Sequence, residues 1–144
     1  MNDVPKALEA GLFSLLHAAD VAQAHVESSL EEIGLSLPKL AALNALTEAG
    51  ESMPLGQLAE RLSCVKSNIT QLVDRLEADG LVSRVGDPGD RRARLAALTA
   101  KGRKAYQDGN RIRQQMEEEL FGGLTRDEAR QLAALMEKVT HRAR

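Results

Sequence analysis

The stretch VKSNITQLVDRLEADGLVSRVGDPGDRRARLAALT, residues 65–99, changes its period halfway along. In its first half Ile69, Leu72, Val73 and Leu76 fall at i, i+3, i+4 and i+7, one apolar stripe that predicts a helix over 65–80 with Gly80 as its stop. That stripe leaves Lys66, Ser67, Asn68 and Gln71 pointing away from the core, a small polar face in place of the usual cover of Glu and Lys. In the second half LVSRV and RLAAL are compatible with short strands, and GDPGDRRA between them sets Asp87, Pro88, Gly89 and Asp90 in a strong turn signal. The reading is a helix followed by a β-hairpin with a basic tip.

Upstream, residues 4–34 read as one long helix, with Leu8, Leu12, Leu15, Ala19, Val26, Leu30 and Ile33 at three- and four-residue steps and Gly34 ending it. SLPKLAALNALTEAG is a second helix, capped by Ser36, with Pro38 in its first turn and Gly50 after its end. MPLGQLAERLS is a short third helix with Pro54 at its start. Downstream of Thr99 the chain runs helical again, with Gly102 and Gly109 lowering its intrinsic stability. Gly122 and Gly123 break it, and a capping box from Thr125 to Glu128 starts a last helix whose stripe is Leu132, Leu135, Met136 and Val139. The predicted fold is mainly α with a small β-hairpin wing.

The 144 residues suit one domain with helical extensions. With 43% apolar and 28% charged residues the chain is not of the disordered class, and 2% aromatic residues make the core aliphatic. A single cysteine, Cys64, excludes an internal disulfide and a cysteine-based zinc site. No apolar run approaches the length of a membrane span and the N-terminus lacks a signal-peptide layout, so a cytoplasmic location is expected, without membrane contact.

The net charge of -2 hides a regional imbalance. Residues 1–60 carry two basic side chains against nine acidic ones, whereas residues 81–104 carry seven (Arg84, Arg91, Arg92, Arg94, Lys101, Arg103, Lys104) against Asp87 and Asp90. Such a concentration marks a surface that meets a polyanion. Asn and Gln side chains pair with adenine edges and Lys with guanine, while arginine suits the negative potential of a narrow minor groove. His17 and His25 share a helix face but find no third ligand, so no metal is expected. No Ser-His-Asp set, glycine-rich phosphate loop or isolated carboxylate pair stands out, which reads as a non-enzyme with no cofactor.

Helix, short helix, polar-faced helix and hairpin follow the order of a winged helix-turn-helix. LAERL, TQLVDRLEADGLV, DPGDRR and LTAKG together resemble the MarR (multiple antibiotic resistance regulator) transcription factors, closely over residues 36–104. The resemblance implies a winged helix-turn-helix at 36–100 flanked by dimerisation helices at 1–35 and 101–144. It implies that Lys66, Ser67, Asn68 and Gln71 face the major groove of double-stranded DNA, with Thr70 and Arg75 near phosphates. In the wing it places Arg92 in the minor groove beside Arg91 and Arg94, and gives Asp90 the role of bracing the tip, here expected through a salt bridge to a nearby arginine. Val65 stands where the family often has a capping Ser, which makes Ser63 the substitute cap. The implied protein is a homodimeric repressor of a palindromic operator, released by a small aromatic or anionic effector whose binding residues cannot be carried over. Two alternatives stay open: a winged-helix protein-interaction module, and a thiol-based redox regulator acting through Cys64.

Overall fold

A computed structural model of the chain describes residues 5–62 and 68–144. After a single 3-10 turn at Lys6–Leu8, the elements are α1 (Gly11–Glu31), α2 (Leu37–Glu48), β1 (Ser52–Pro54), α3 (Leu55–Arg61), α4 (Ile69–Ala78), β2 (Val82–Asp87), β3 (Asp90–Leu98), α5 (Ala100–Phe121) and α6 (Arg126–Ala143). The mainly helical fold with a hairpin wing is as the sequence reads. The first helix is shorter than its apolar pattern suggests. Ala10 stands at its N-cap with φ -110° and ψ 20° and offers no side-chain acceptor, so the chain between Leu8 and Gly11 turns without joining the helix.

β1 escaped the sequence reading. Ser52, Met53 and Pro54 pair antiparallel with Ala97, Ala96 and Leu95, which turns the hairpin into a three-stranded sheet of order β1-β3-β2. Three residues give no period to read, and Pro54 serves both as the end of an edge strand and as the residue before α3. Between α2 and β1, Gly50 and Glu51 both hold positive φ, 81° and 82°, which reverses the chain within two residues.

The core is aliphatic, as the composition requires. Leu30 of α1, Leu43 and Leu46 of α2, Leu58 of α3, and Val73 and Leu76 of α4 are its largest fully buried side chains, with Val82, Ala96 and Leu98 covering them from the sheet. The two glycines of α5 are there for contact. Gly102 and Gly109 are both buried, the first against Leu81 and Leu98, the second against Leu35 and Leu40. In the sequence they stand only as weak helix formers; each lets α5 approach its neighbours more closely than any side chain would allow.

α1 and α6 behave differently. Of α1 only Leu30 is buried, and α6 buries nothing. Leu12, Phe13, Leu15 and Leu16 of α1 and Leu135, Met136 and Val139 of α6 stand exposed by 47 to 74%. α6 starts on the expected reciprocal cap: the Glu128 amide donates to Thr125 Oγ1 at 3.1 Å, and the Thr125 amide donates to Glu128 Oε1 at 3.0 Å. The Thr125 backbone amide first, and its hydroxyl second, hold the Glu128 carboxyl below the usual carboxylate range. Among the described residues no helix is long and apolar enough to cross a membrane.

Candidate nucleic-acid interface

α4 presents two faces because its apolar residues recur at helical spacing. Leu72, Val73 and Leu76 are buried, while Thr70, Gln71, Asp74 and Arg75 are exposed on the other side. Of the sequence-predicted residues, the structure therefore brings Thr70, Gln71 and Arg75 together on one accessible face. Lys66 and Ser67 lie outside the described residues, as do Ser63, Cys64 and Val65, so the redox alternative built on Cys64 does too.

Asn68 has a role the sequence reading did not give it. Its Oδ1 accepts from the amides of Thr70 (3.0 Å) and Gln71 (3.3 Å), which makes Asn68 the N-cap of α4 in place of the suggested Ser63. The reason is local. Asn68 has extended backbone angles immediately before Ile69, where its short amide reaches both orphan donors. Its amide nitrogen takes no part in the cap and has no hydrogen-bond partner among the described residues, at an exposed position. Beside it, Ser36, Pro38 and Lys39 of the α2 start and Gln71 and Arg75 of α4 line a groove of about 270 Å³. Lys39 is mostly buried there and pairs with Asp79 at 2.8 Å, tying the two helices together.

In the wing both aspartates turn inward on the backbone. Asp87 Oδ1 accepts from the Gly89 amide at 2.8 Å, and Asp90 Oδ1 accepts from the Arg92 amide at 2.9 Å. Among the described residues Asp90 forms no salt bridge, in place of the one expected with an arginine. The carboxylate instead closes a local turn with the residue two positions on, a contact requiring no long side chain to be ordered. Arg91, Arg92 and Arg94 are exposed, and none forms an ion pair among the described residues.

The other basic residues of 81–104 are occupied within the chain. Lys101 Nζ donates to the Asp79 carbonyl at 2.8 Å, Arg103 pairs with Glu51 at 3.1 Å, and Lys104 lies 3.5 Å from Asp108. Arg84 is held hardest. Its guanidinium reaches Asp74 Oδ1 at 2.5 Å and Glu77 Oε1 at 3.0 Å, and its own amide donates to Glu77 Oε2 at 3.0 Å. The Asp74 hydrogen bond first, then the attraction of both carboxylates, raises the Arg84 pKa above the ordinary arginine value, with partial burial opposing. Counting Arg84 with the wing arginines, as its sequence position invites, is therefore mistaken. The signal that could have separated them is the Asp74/Glu77 pair, three residues apart on one side of a helix that a strand must pass.

No group of three metal-ligating side chains occurs among the described residues. His25 Nε2 lies 2.6 Å from Glu119 Oε2, which links α1 to α5.

Comparison with known proteins agrees with this geometry. Residues 33–93 match the family model described as the MarR family. The HTH-type transcriptional regulator YkoM of Bacillus subtilis is 34% identical over 108 residues, which span 75% of this chain and 70% of that protein. Among solved structures, CouR from Rhodococcus jostii, bound to p-coumaroyl-CoA, is 27% identical over 91% of each chain, with a TM-score of 0.79. A variant of E. coli MarR complexed with operator DNA has the same fold at 24% identity and a TM-score of 0.79, covering 94% of this chain and 99% of that one. The chain belongs to the MarR family and is a DNA-binding transcriptional regulator with a winged helix-turn-helix.

Proposed function

We propose that the protein is a homodimeric repressor that reads a palindromic operator with α4 and the wing and is released by a small-molecule effector. The observation that carries this reading is the coexistence, on one protomer, of an exposed polar α4 face and wing arginines that form no ion pair among the described residues. α4 takes the major groove with Gln71 and the Asn68 amide, preceded by Lys66 and Ser67, while Thr70 lies near the phosphates. Arg75 meets the backbone, and Arg92, flanked by Arg91 and Arg94, enters the adjacent minor groove.

Dimerisation is supported by the unburied stripes of α1 and α6, whose exposed leucines, Phe13 and Met136 have nothing to cover them in one protomer. Residues 1–35 and 101–144 then serve as the dimer arms and 36–100 as the reading head. Twofold symmetry would set half-site centres about 10 bp apart. Release is supported by a cleft of about 390 Å³ between the α1–α2 turn, the end of α4 and α5, with Ile33, Leu35, Leu81 and Ala105 as apolar walls and Lys101, Lys104, Asp79 and Asp108 at its edge. Its apolar walls suit a small aromatic ligand, while the charges of Lys101 and Lys104 are balanced by Asp79 and Asp108. Such a ligand releases DNA only by binding the non-reading arrangement better, a coupling typically of about 1–3 kcal/mol. The protein acts in this reading in the cytoplasm, where its operator is.

Selection of bound duplexes from a random pool tests the proposal. Enrichment of an inverted repeat is the expected result. Recovery of no sequence above background would overturn it in favour of a protein-interaction module.

A further inference from the structure

The wing leaves the body of the protein at a definite place. β1 backs β3 only from Ala97 to Leu95, so the hairpin beyond the Val85–Leu95 pair is a two-stranded ribbon with no third strand. Ribbons of that kind are marginally stable alone and vary widely in twist. Their direction must be set at the root. Arg84 sits there, opposite Ala96, one residue pair before the last row that β1 supports.

β2 is an edge strand, and α4 runs beside that edge. The Arg84 amide donates to Glu77, so one carboxylate takes both a main-chain donor of the strand and one arm of the same residue's guanidinium. Asp74, one turn earlier on α4, takes the other arm. The Arg84 side chain is 25% exposed, against 59% and 43% for Asp74 and Glu77. With two of its five N–H donors on carboxylates, this guanidinium has its single charge already faced by two negative ones and is poorly placed to neutralise a phosphate. Asp74 and Glu77, for their part, are anions on the very helix that faces a polyanion, where on Coulomb's law alone they weaken binding.

We infer that Arg84 is a positioning residue. With Asp74 and Glu77 it clasps the root of the wing to α4 and fixes the angle between the two parts that must enter adjacent grooves together. It prepares the DNA-binding shape before DNA arrives and does not itself contact DNA. The inference rests on the proposed DNA reading for its consequence, and on the Arg84 contacts alone for its existence.

The sign of an effect separates this from ordinary electrostatics. The probe is a duplex that the wild-type chain selects from a random pool, with binding followed over a range of KCl concentrations. Asp74→Ala/Glu77→Ala removes two negative charges and is expected to bind roughly five- to tenfold more weakly, despite the more favourable charge. Arg84→Gln is expected to lose a similar factor with an unchanged salt slope, whereas loss of a phosphate contact would lower the slope by about 0.9. Tighter binding by the double variant, or a lowered slope for Arg84→Gln, would overturn the inference. Should Arg84→Gln fail to fold, Arg84→Lys, which keeps one arm, gives the same test with a smaller loss.

Backbone 15N relaxation decides the clasp without DNA. Order at the wing amides of Gly86, Gly89 and Ala93 is expected to fall in Arg84→Gln while that of α4 holds. Unchanged wing order would contradict the clasp. A wild-type chain that binds no duplex would instead overturn the proposed function, and the relaxation result would still stand or fall by itself.

Discussion

Gly102 lies in the first turn of α5 directly against the backbone carbonyl of Leu81: a Cβ at this position would come within 2.0 Å of that oxygen. Leu81 follows α4 and opens the wing, so the contact locks the long helix onto the winged helix-turn-helix. Backbone cannot step aside as a side chain end can. Gly102→Ala is expected to destabilise the protein by about 2–3 kcal/mol or more, despite a helix-propensity gain of at most about 1 kcal/mol. Gly109→Ala meets only the ends of Leu40 and Leu35, at 2.7 and 2.9 Å, and is expected to cost less, about 1 kcal/mol net. Urea unfolding of the two variants gives the order directly.

Asn68 links the stability of α4 to the proposed recognition of DNA through one side chain. Its Oδ1 caps α4 while its nitrogen takes no part in the cap, so Asn68→Ala is expected to lower stability by about 1 kcal/mol as well as to change which duplexes are preferred. Asn68→Ser restores the cap without the amide. Thermal unfolding of Asn68→Ser should match the wild type while its duplex selection stays altered. A loss of stability equal to that of Asn68→Ala would remove the cap from the explanation.

Those two residues also show what a sequence reveals and what it withholds. The α4 stripe was legible because Ile69, Leu72, Val73 and Leu76 repeat with the helix, and the hairpin because Pro88 and Gly89 sit between aspartates. The Thr125–Glu128 capping box was legible because both partners lie within one turn. β1 was not, since its three residues become a strand only when β3 arrives from more than forty positions away. The closeness of Gly102 to Leu81 and the pairing of Arg84 with Asp74 and Glu77 are contacts between elements, which no local pattern encodes. At the interface, the positions of Thr70, Gln71 and Arg75 follow from helical periodicity. For the split between Arg84 and the wing arginines the sequence offers only the Asp74/Glu77 spacing, and which basic residue meets that pair needed coordinates.

The start of α6 carries a pH signature. Glu128 has a lowered pKa when folded, so its contribution is fully present above the unfolded glutamate value of about 4.3 and disappears as pH falls through the folded value. Glu128→Ala is therefore expected to melt below the wild type at pH 7, with the gap closing as the pH falls below about 4. A gap that persists unchanged at pH 3 would assign the loss to something other than the ionised cap.

The exposed stripes of α1 and α6 make the dimer testable with single charges. Burying a leucine is worth about 1.5–3 kcal/mol, so Leu12→Glu or Leu135→Glu is expected to weaken association by an order of magnitude or more. Sedimentation velocity across a concentration series reads the shift toward monomer. Wild-type sedimentation as a monomer at all concentrations would contradict the arms assigned to residues 1–35 and 101–144.

The most direct measurement is the affinity for a selected duplex as salt is raised, for the wild type, Arg92→Ala and the triple variant Arg91→Ala/Arg92→Ala/Arg94→Ala. The expected result is a steep log–log fall for the wild type, a loss of about 1–3 kcal/mol for Arg92→Ala, and for the triple variant a slope shallower by about 0.9 for each phosphate no longer neutralised. Wing variants that bind as the wild type does at every salt concentration would contradict the claim that the exposed arginines of the hairpin tip, together with α4, hold the DNA.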